Sequence, residues 1–252
     1  MRALLAAIRC EKGEIAANLA VHRAVIDHAK AEECDLALFP EMSLTGSADP
    51  ATHPERLIGL DHQAVAELAD AASQGTAACL GIAERSADGV PHIAQVLVAD
   101  GRVLGVQRKR HLGDGEESYV AASDSAVFER AGVRFGVAIC AEAGFDAPFD
   151  AAAQAGASLV LFPAAPGLYG RRTSQSSWQA GFAWWEGSAL GDAARQARRH
   201  GLWIALAGQA GSTVDEDFPG LAALVRPDGT VAARLPDWRA GLLTVDIPSR
   251  QG

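Results

Sequence analysis

Lysine is almost missing from this chain. Of its 22 basic residues 19 are arginine, and only Lys12, Lys30 and Lys109 are lysine, so each lysine stands out against an arginine background. Positive charge as a whole is short, because 31 acidic residues leave a formal net charge of −9. That balance argues against nonspecific binding to nucleic acid or anionic membranes. Cysteine is sparse and scattered: Cys10, Cys34, Cys79 and Cys140 form no CxxC pair and no Cys/His metal spacing. The start, MRALLAAIRC, holds only a brief apolar run before Arg9, too short for a secretory core, and no apolar stretch approaches a membrane span. A reduced, soluble, cytoplasmic protein is expected. Disordered, fibrous and disulfide-scaffold classes are excluded by 49% hydrophobic residues against 21% charged ones in 252.

What is present alternates. RALLAAIR (2–9) reads as a buried strand, and a helix is expected over about 13–32, with Ile15, Leu19, His22, Ile26 and Ala29 on one stripe. CDLALFP (34–40) is an apolar strand stopped by Pro40, and Asp61 is placed to cap a helix carrying Val65, Leu68, Ala69 and Ala72. TAACLGIAE (76–84) is the next strand. HIAQVLVA and RVLGVQR around Asp100-Gly101 predict a hairpin, and a second one follows around Asp228-Gly229. VRFGVAIC (133–140), a short helix over 148–156, ASLVLFP (157–163), a helix over 176–199, LWIALAG (202–208) and GLLTVDI (241–247) complete the reading. So many hairpins among βα units do not suit a purely parallel sheet, whereas two facing sheets with helices outside do. No linker divides the chain, so one domain over 1–252 is expected.

Three strand ends carry unusual residues: Pro40-Glu41, the Arg108-Lys109-Arg110-His111 run, and Cys140-Ala141-Glu142. Reactive groups gather beyond the carboxyl ends of strands in α/β sheets. A carboxylate can take the proton of a thiol and return it to a leaving amine, and an ammonium can stabilise a tetrahedral oxyanion. Singly each residue has a plainer reading: a buried small hydrophobe for Cys140, a turn residue for Glu41, a solvated loop for Lys109.

Together they resemble the nitrilase, or carbon–nitrogen hydrolase, superfamily. The likeness rests on AAIRCEKGEIAANLAVHRAVIDHA (6–29), DLALFPEMSLTG (35–46), VQRKRHLGDGEESY (106–119) and GVAICAEAGFDAPFDAAAQAGASLVLFPAA (136–165), and so runs along almost the whole chain. It implies an α/β fold, a four-layer αββα sandwich, commonly paired into a homodimer. It implies Glu41 as general base, Lys109 and the backbone N–H of Ala141 as oxyanion donors, and Cys140 as nucleophile. It also implies a second glutamate after the lysine; Glu117 fits best, with Glu116 adjacent.

Departures mark a divergent branch. Ala141 stands where an aromatic is frequent after the nucleophile, and QARRHG (196–201) lacks the Glu and Asn of the family's RA-x-E-N segment. Ala-Glu rather than Trp-Glu after Cys140 makes amides the expected substrates ahead of nitriles. In the 163–187 stretch, Tyr169, Trp184 and Trp185 are candidate pocket walls, or alternatively a subunit interface, and Arg171 or Arg172 could meet a substrate carboxylate. His22 is expected as a core histidine, and Val214-Asp215-Glu216-Asp217 as a solvated turn. With no ligand spacing among the seven His, no phosphate loop and no dinucleotide fingerprint, neither metal nor cofactor is expected. The expectation is a cysteine-dependent hydrolase of a small-molecule amide-type C–N bond. N-carbamoyl-amine or nitrile hydrolysis, acyl transfer, or a non-catalytic binding subunit are its rivals.

Overall fold

Strand β1 (Arg2–Ala7) shows how the layers arise. Leu4 and Ala6 pack among helix-side residues, while Ala3, Leu5 and Ala7 pack on the opposite face, all without exposed surface. A strand apolar on both faces must lie between two layers. The computed structural model describes residues 1–248. After β1 come α1 (Ile15–Ala31), β2 (Leu36–Leu38), α2 (Gln63–Ala71), β3 (Ala77–Arg85), β4 (Pro91–Ala99) and β5 (Arg102–Arg108). Then follow β6 (Phe128–Arg130), β7 (Val133–Val137), α3 (Ala147–Gln154), β8 (Leu159–Ala164), α4 (Gln175–His200) and β9 (Trp203–Gly208). The chain continues with β10 (Ala210–Ser212), β11 (Asp217–Pro219), β12 (Ala222–Val225), β13 (Val231–Arg234) and β14 (Gly241–Asp246).

Two six-stranded sheets result, ordered β14-β1-β2-β3-β4-β5 and β13-β12-β9-β8-β7-β6, beside a small β10-β11 ribbon. Each has parallel strands at its centre, β1-β2-β3 and β7-β8-β9, flanked by antiparallel ones. One apolar cluster, with Leu5, Leu38, Phe135, Leu161 and Leu224, fills the space between the sheets. A second joins the first sheet to α1 and α2, and a third joins the other sheet to α3 and α4. The layers are therefore helix, sheet, sheet, helix: the αββα sandwich that the resemblance implied. No helix among the described residues is long and apolar enough to cross a membrane.

Local signals mostly gave the right elements. Asp100 and Gly101 have φ of 50° and 73°, the double positive φ of a tight hairpin turn. Three expectations need correction. The α2 cap is His62, whose side chain accepts the N–H of Ala64, and not Asp61. The strand expected to run to Cys140 stops at Val137, because Cys140 adopts a φ of 48° that no strand tolerates. The acidic stretch expected to be a solvated turn ends in Asp217, which opens β11 and is buried at 1% exposure.

Candidate active site

Because β4 runs antiparallel to β3 and β5 antiparallel to β4, β5 points the same way as β2. Their carboxyl ends therefore leave the sheet at one edge, and the residues just beyond them meet. Glu41 lies three residues past β2, Lys109 directly past β5, and both are 1% exposed. The Lys109 ammonium donates to Glu41 Oε1 at 2.7 Å and to Glu116 Oε1 at 2.6 Å. Glu41 Oε2 accepts the backbone N–H of Ala165, just past β8 in the facing sheet, at 3.1 Å. One buried carboxylate thus spans both sheets.

Cys140 opens a 3-10 turn, Cys140–Gly144, and is partly exposed while the other three cysteines are buried. Its left-handed backbone is the kind of strain that clusters at functional sites and persists only where surrounding bonds impose it. The fully buried Glu142 supplies those bonds. Its carboxylate accepts the N–H groups of Ile139 at 2.8 Å, Arg110 at 2.9 Å and His111 at 3.3 Å. The Cys140 turn and the loop after Lys109 are tied to a single side chain.

The electrostatics follow from burial and from the neighbours. Burial, then the negative Glu41, push the Cys140 thiol well above its ordinary range, against the pull of Lys109 and the Ala165 N–H. Burial alone would lower the Lys109 pKa, but the negative field of Glu41, and then of Glu116 with its hydrogen bond, outweighs it and raises the value. Glu116 is shifted upward by burial and by Glu41, with Lys109 pulling the other way. The resting site is a neutral thiol beside an ammonium held by carboxylates.

The glutamate that reaches Lys109 is Glu116, and not Glu117 as the resemblance suggested. The turn after Gly113 directs Glu116 inward, where Oε2 also accepts the Gly113 N–H at 2.6 Å. Glu117 faces solvent, its carboxylate taking the Gly115 N–H at 3.0 Å. Adjacent residues in an irregular loop point apart, and composition does not say which way.

Glu41, Glu116, Cys140 and Ala141 line one cavity of about 510 Å³, with Tyr169, Trp184 and Trp185 at its wall. Tyr169 is 85% exposed and Trp184 52% exposed at the mouth, whereas Trp185 is buried edge-on to Phe162. Arg171 does not reach this cavity. Its guanidinium bonds Asp217 at 3.2 Å and the Val214 carbonyl, while Arg172 is drawn to the Leu168 carbonyl. The buried Asp217 needs these partners, since a lone carboxylate out of water is costly.

Residues missing from the sequence reading complete the support. Tyr119 lines the cavity and donates to the Ala48 carbonyl, and Gln95 donates to the Phe39 carbonyl at 2.9 Å, two residues before Glu41. No periodicity or spacing marks either residue. Among the described residues no group of three or more His, Cys, Asp or Glu is arranged to hold a metal ion.

Comparison with known proteins agrees with this fold. The chain is 30% identical over 220 residues to a glutamine-dependent NAD(+) synthetase of Xanthomonas campestris, an alignment covering 82% of this chain and 37% of the synthetase. A protein of Pseudomonas protegens described as the hydrolase in the pqqF 5' region is 34% identical over 60% of this chain and 55% of its own length. The chain thus spans only about a third to a half of these relatives. Among solved structures, an amidase from Nesterenkonia sp. AN1 superposes with a TM-score of 0.81 over 99% of this chain and 94% of its own, at 23% identity. That structure carries acrylamide joined by Michael addition to the active-site cysteine. The glutamine-dependent NAD+ synthetase of Acinetobacter baumannii superposes with a TM-score of 0.79 over 96% of this chain and 44% of that one, at 22% identity. The carbon–nitrogen hydrolase family model matches residues 4–251, and with that match spanning the whole sandwich, this chain belongs to the carbon–nitrogen hydrolase family.

Proposed function

We propose that this protein hydrolyses a linear amide-type C–N bond of a small molecule through a thioester on Cys140. The observation carrying this is that Glu41 and Glu116, which line the same cavity as Cys140, are joined by the buried Lys109 through contacts of 2.6–2.7 Å. Glu41 takes the thiol proton as the sulfur bonds to the carbonyl carbon. Lys109 and the Ala141 N–H stabilise the oxyanion, a role worth on the order of 3 kcal/mol per donor. The C–N bond breaks as Glu41 passes its proton to the nitrogen, releasing ammonia or an amine and leaving the acyl group on sulfur. Glu41 then takes a proton from water, whose oxygen attacks the thioester. The acid departs and the thiol regains its proton. Glu116 holds Lys109 in place and offers the incoming water a second acceptor. Since Cys140 rests as a thiol, the coupled removal of its proton is what Glu41 supplies.

Glutamine is a second substrate reading, favoured by the 30% identity to a glutamine-dependent synthetase over 82% of this chain. The test is ammonia release from a panel of primary amides that includes glutamine. The wild-type protein should turn over at least one class, and Cys140→Ala should lose about four or more orders of magnitude in kcat. Acid quenching during turnover should leave the acyl mass on the peptide holding Cys140. Undiminished ammonia release by Cys140→Ala would overturn the proposal.

A further inference from the structure

The cavity around Cys140 has a one-sided charge. Besides Glu41 and Glu116, four carboxylates line it: Asp49, Asp114, Asp192 and Glu216. Among the described residues the only lining cation is Lys12, and Lys109 lies buried behind Glu41 and Glu116. Neither is available to an anion. Lys109 is shared by two carboxylates, and Lys12 Nζ lies 2.9 Å from Asp215 and 3.4 Å from Glu216. Arg195 pairs with Asp192, but Asp114 has no cationic partner among the described residues. Asp49 accepts the N–H of Ala51 and the hydroxyl of Thr52, both neutral donors. Arg171 and Arg172 do not line this cavity: Arg171 is bound to Asp217 and the Val214 carbonyl, and Arg172, which lines the adjoining hollow on the other side of Tyr169 and Trp184, is bound to the Leu168 carbonyl.

Aromatic surface adds to this bias. Tyr169 and Trp184 expose much of their rings at the same mouth, and ring faces attract cations. A substrate carboxylate entering here would lose water without gaining a cation, whereas an ammonium would meet carboxylates and rings. We propose that the site selects amides whose tail carries an ammonium group and no carboxylate, and disfavours those whose tail carries a carboxylate, ω-amides of dicarboxylic acids and the zwitterionic glutamine included. This rests on the hydrolase reading above and names its substrate class.

Four amides differing only at the carbon far from the carbonyl test it with the full chain: butanamide, 4-aminobutanamide, glutaramate and glutamine. At low ionic strength kcat/KM for 4-aminobutanamide should exceed that for butanamide by about tenfold, glutaramate should be the poorest, and about 0.5 M NaCl should narrow the spread. Asp114→Asn should lower the ratio of 4-aminobutanamide to butanamide roughly threefold or more. Glutaramate or glutamine matching 4-aminobutanamide would overturn the charge proposal while leaving the hydrolase standing. If no amide is turned over, the hydrolase reading falls and the charge bias is read from Cys140 alkylation. The rate with 2-bromoethylammonium over that with iodoacetate, divided by the same ratio for 2-mercaptoethanol, should exceed one. A quotient of one or below would overturn the proposal independently of turnover.

Discussion

Lys109 holds its charge between two carboxylates, and that arrangement sets what the surrounding residues can do. The ammonium allows Glu41 and Glu116 to share a buried space, where two uncompensated negative charges would repel. Removing it should therefore be worse for stability than removing an isolated surface lysine. Lys109→Met is expected to lower unfolding free energy by about 3–5 kcal/mol in urea titrations, the range for breaking a buried pair. Adding Glu116→Gln should recover a large part of that stability but none of the activity. A Lys109→Met protein of wild-type stability would show that the three groups do not act as a unit. The same residue shows why lysine scarcity was informative: of the three lysines, Lys12 lines the cavity and Lys109 is bonded to two carboxylates that line it.

At the scale of elements, the segment after β2 is the piece that places Glu41. It continues along β3 and is pinned there: Phe39 N–H to the Cys79 carbonyl at 2.9 Å, Leu44 N–H to the Gly81 carbonyl at 2.9 Å, and Gly81 N–H to Ser43 Oγ at 3.1 Å. The contact is so close that a side chain at Gly81 has no room. A Cβ there would lie 2.2 Å from the Met42 nitrogen and 2.6 Å from the Pro40 carbonyl oxygen. Gly81→Ala should displace Glu41, lowering kcat by about tenfold or more and stability by about 1–3 kcal/mol, the usual range for overpacking. Steady-state kinetics beside urea unfolding would check both, and unchanged kcat would show that the strap does not position the base. The strand, helix and hairpin assignments here were readable because apolar period and turn residues are local. The strap was not, because its bonds join residues some forty positions apart.

At the scale of the whole molecule, His22 ties α1 to this strap and makes the fold sensitive to acid. Its ring is fully buried, with Nδ1 2.7 Å from the Asn18 carbonyl and Nε2 2.9 Å from Ser43 Oγ, stacked 4.2 Å from Phe39. Burial pulls its pKa down to about 4, only partly opposed by the Asn18 carbonyl. The unfolded chain takes a proton below about 6.5, the folded one only near 4, so unfolding is favoured as pH falls through that window. From about pH 6.5 to pH 4 His22 should remove up to about 3 kcal/mol of stability. Urea midpoints measured across that range should fall in the wild type and fall less in His22→Gln. Parallel acid limbs in the two proteins would show that His22 does not set this dependence.

Sequence alone determined the order of elements and the two facing sheets, and it singled out Glu41, Lys109 and Cys140 as candidates, because each follows from local period, turn chemistry or a motif a few residues long. Tertiary structure alone decided that Glu116 turns inward and Glu117 outward, that Cys140 leaves its strand for a left-handed turn, and that Arg171 serves the buried Asp217 instead of a substrate. The physical reason is common to all three. In irregular segments the direction of a side chain is set by backbone bonds to distant partners, such as Glu142 to the Arg110 N–H, 32 residues away, or Glu41 to the Ala165 N–H across 124. The charge of the cavity belongs to the same class, since Asp49, Asp114, Asp192 and Glu216 meet only once both sheets and the last helix have closed around it.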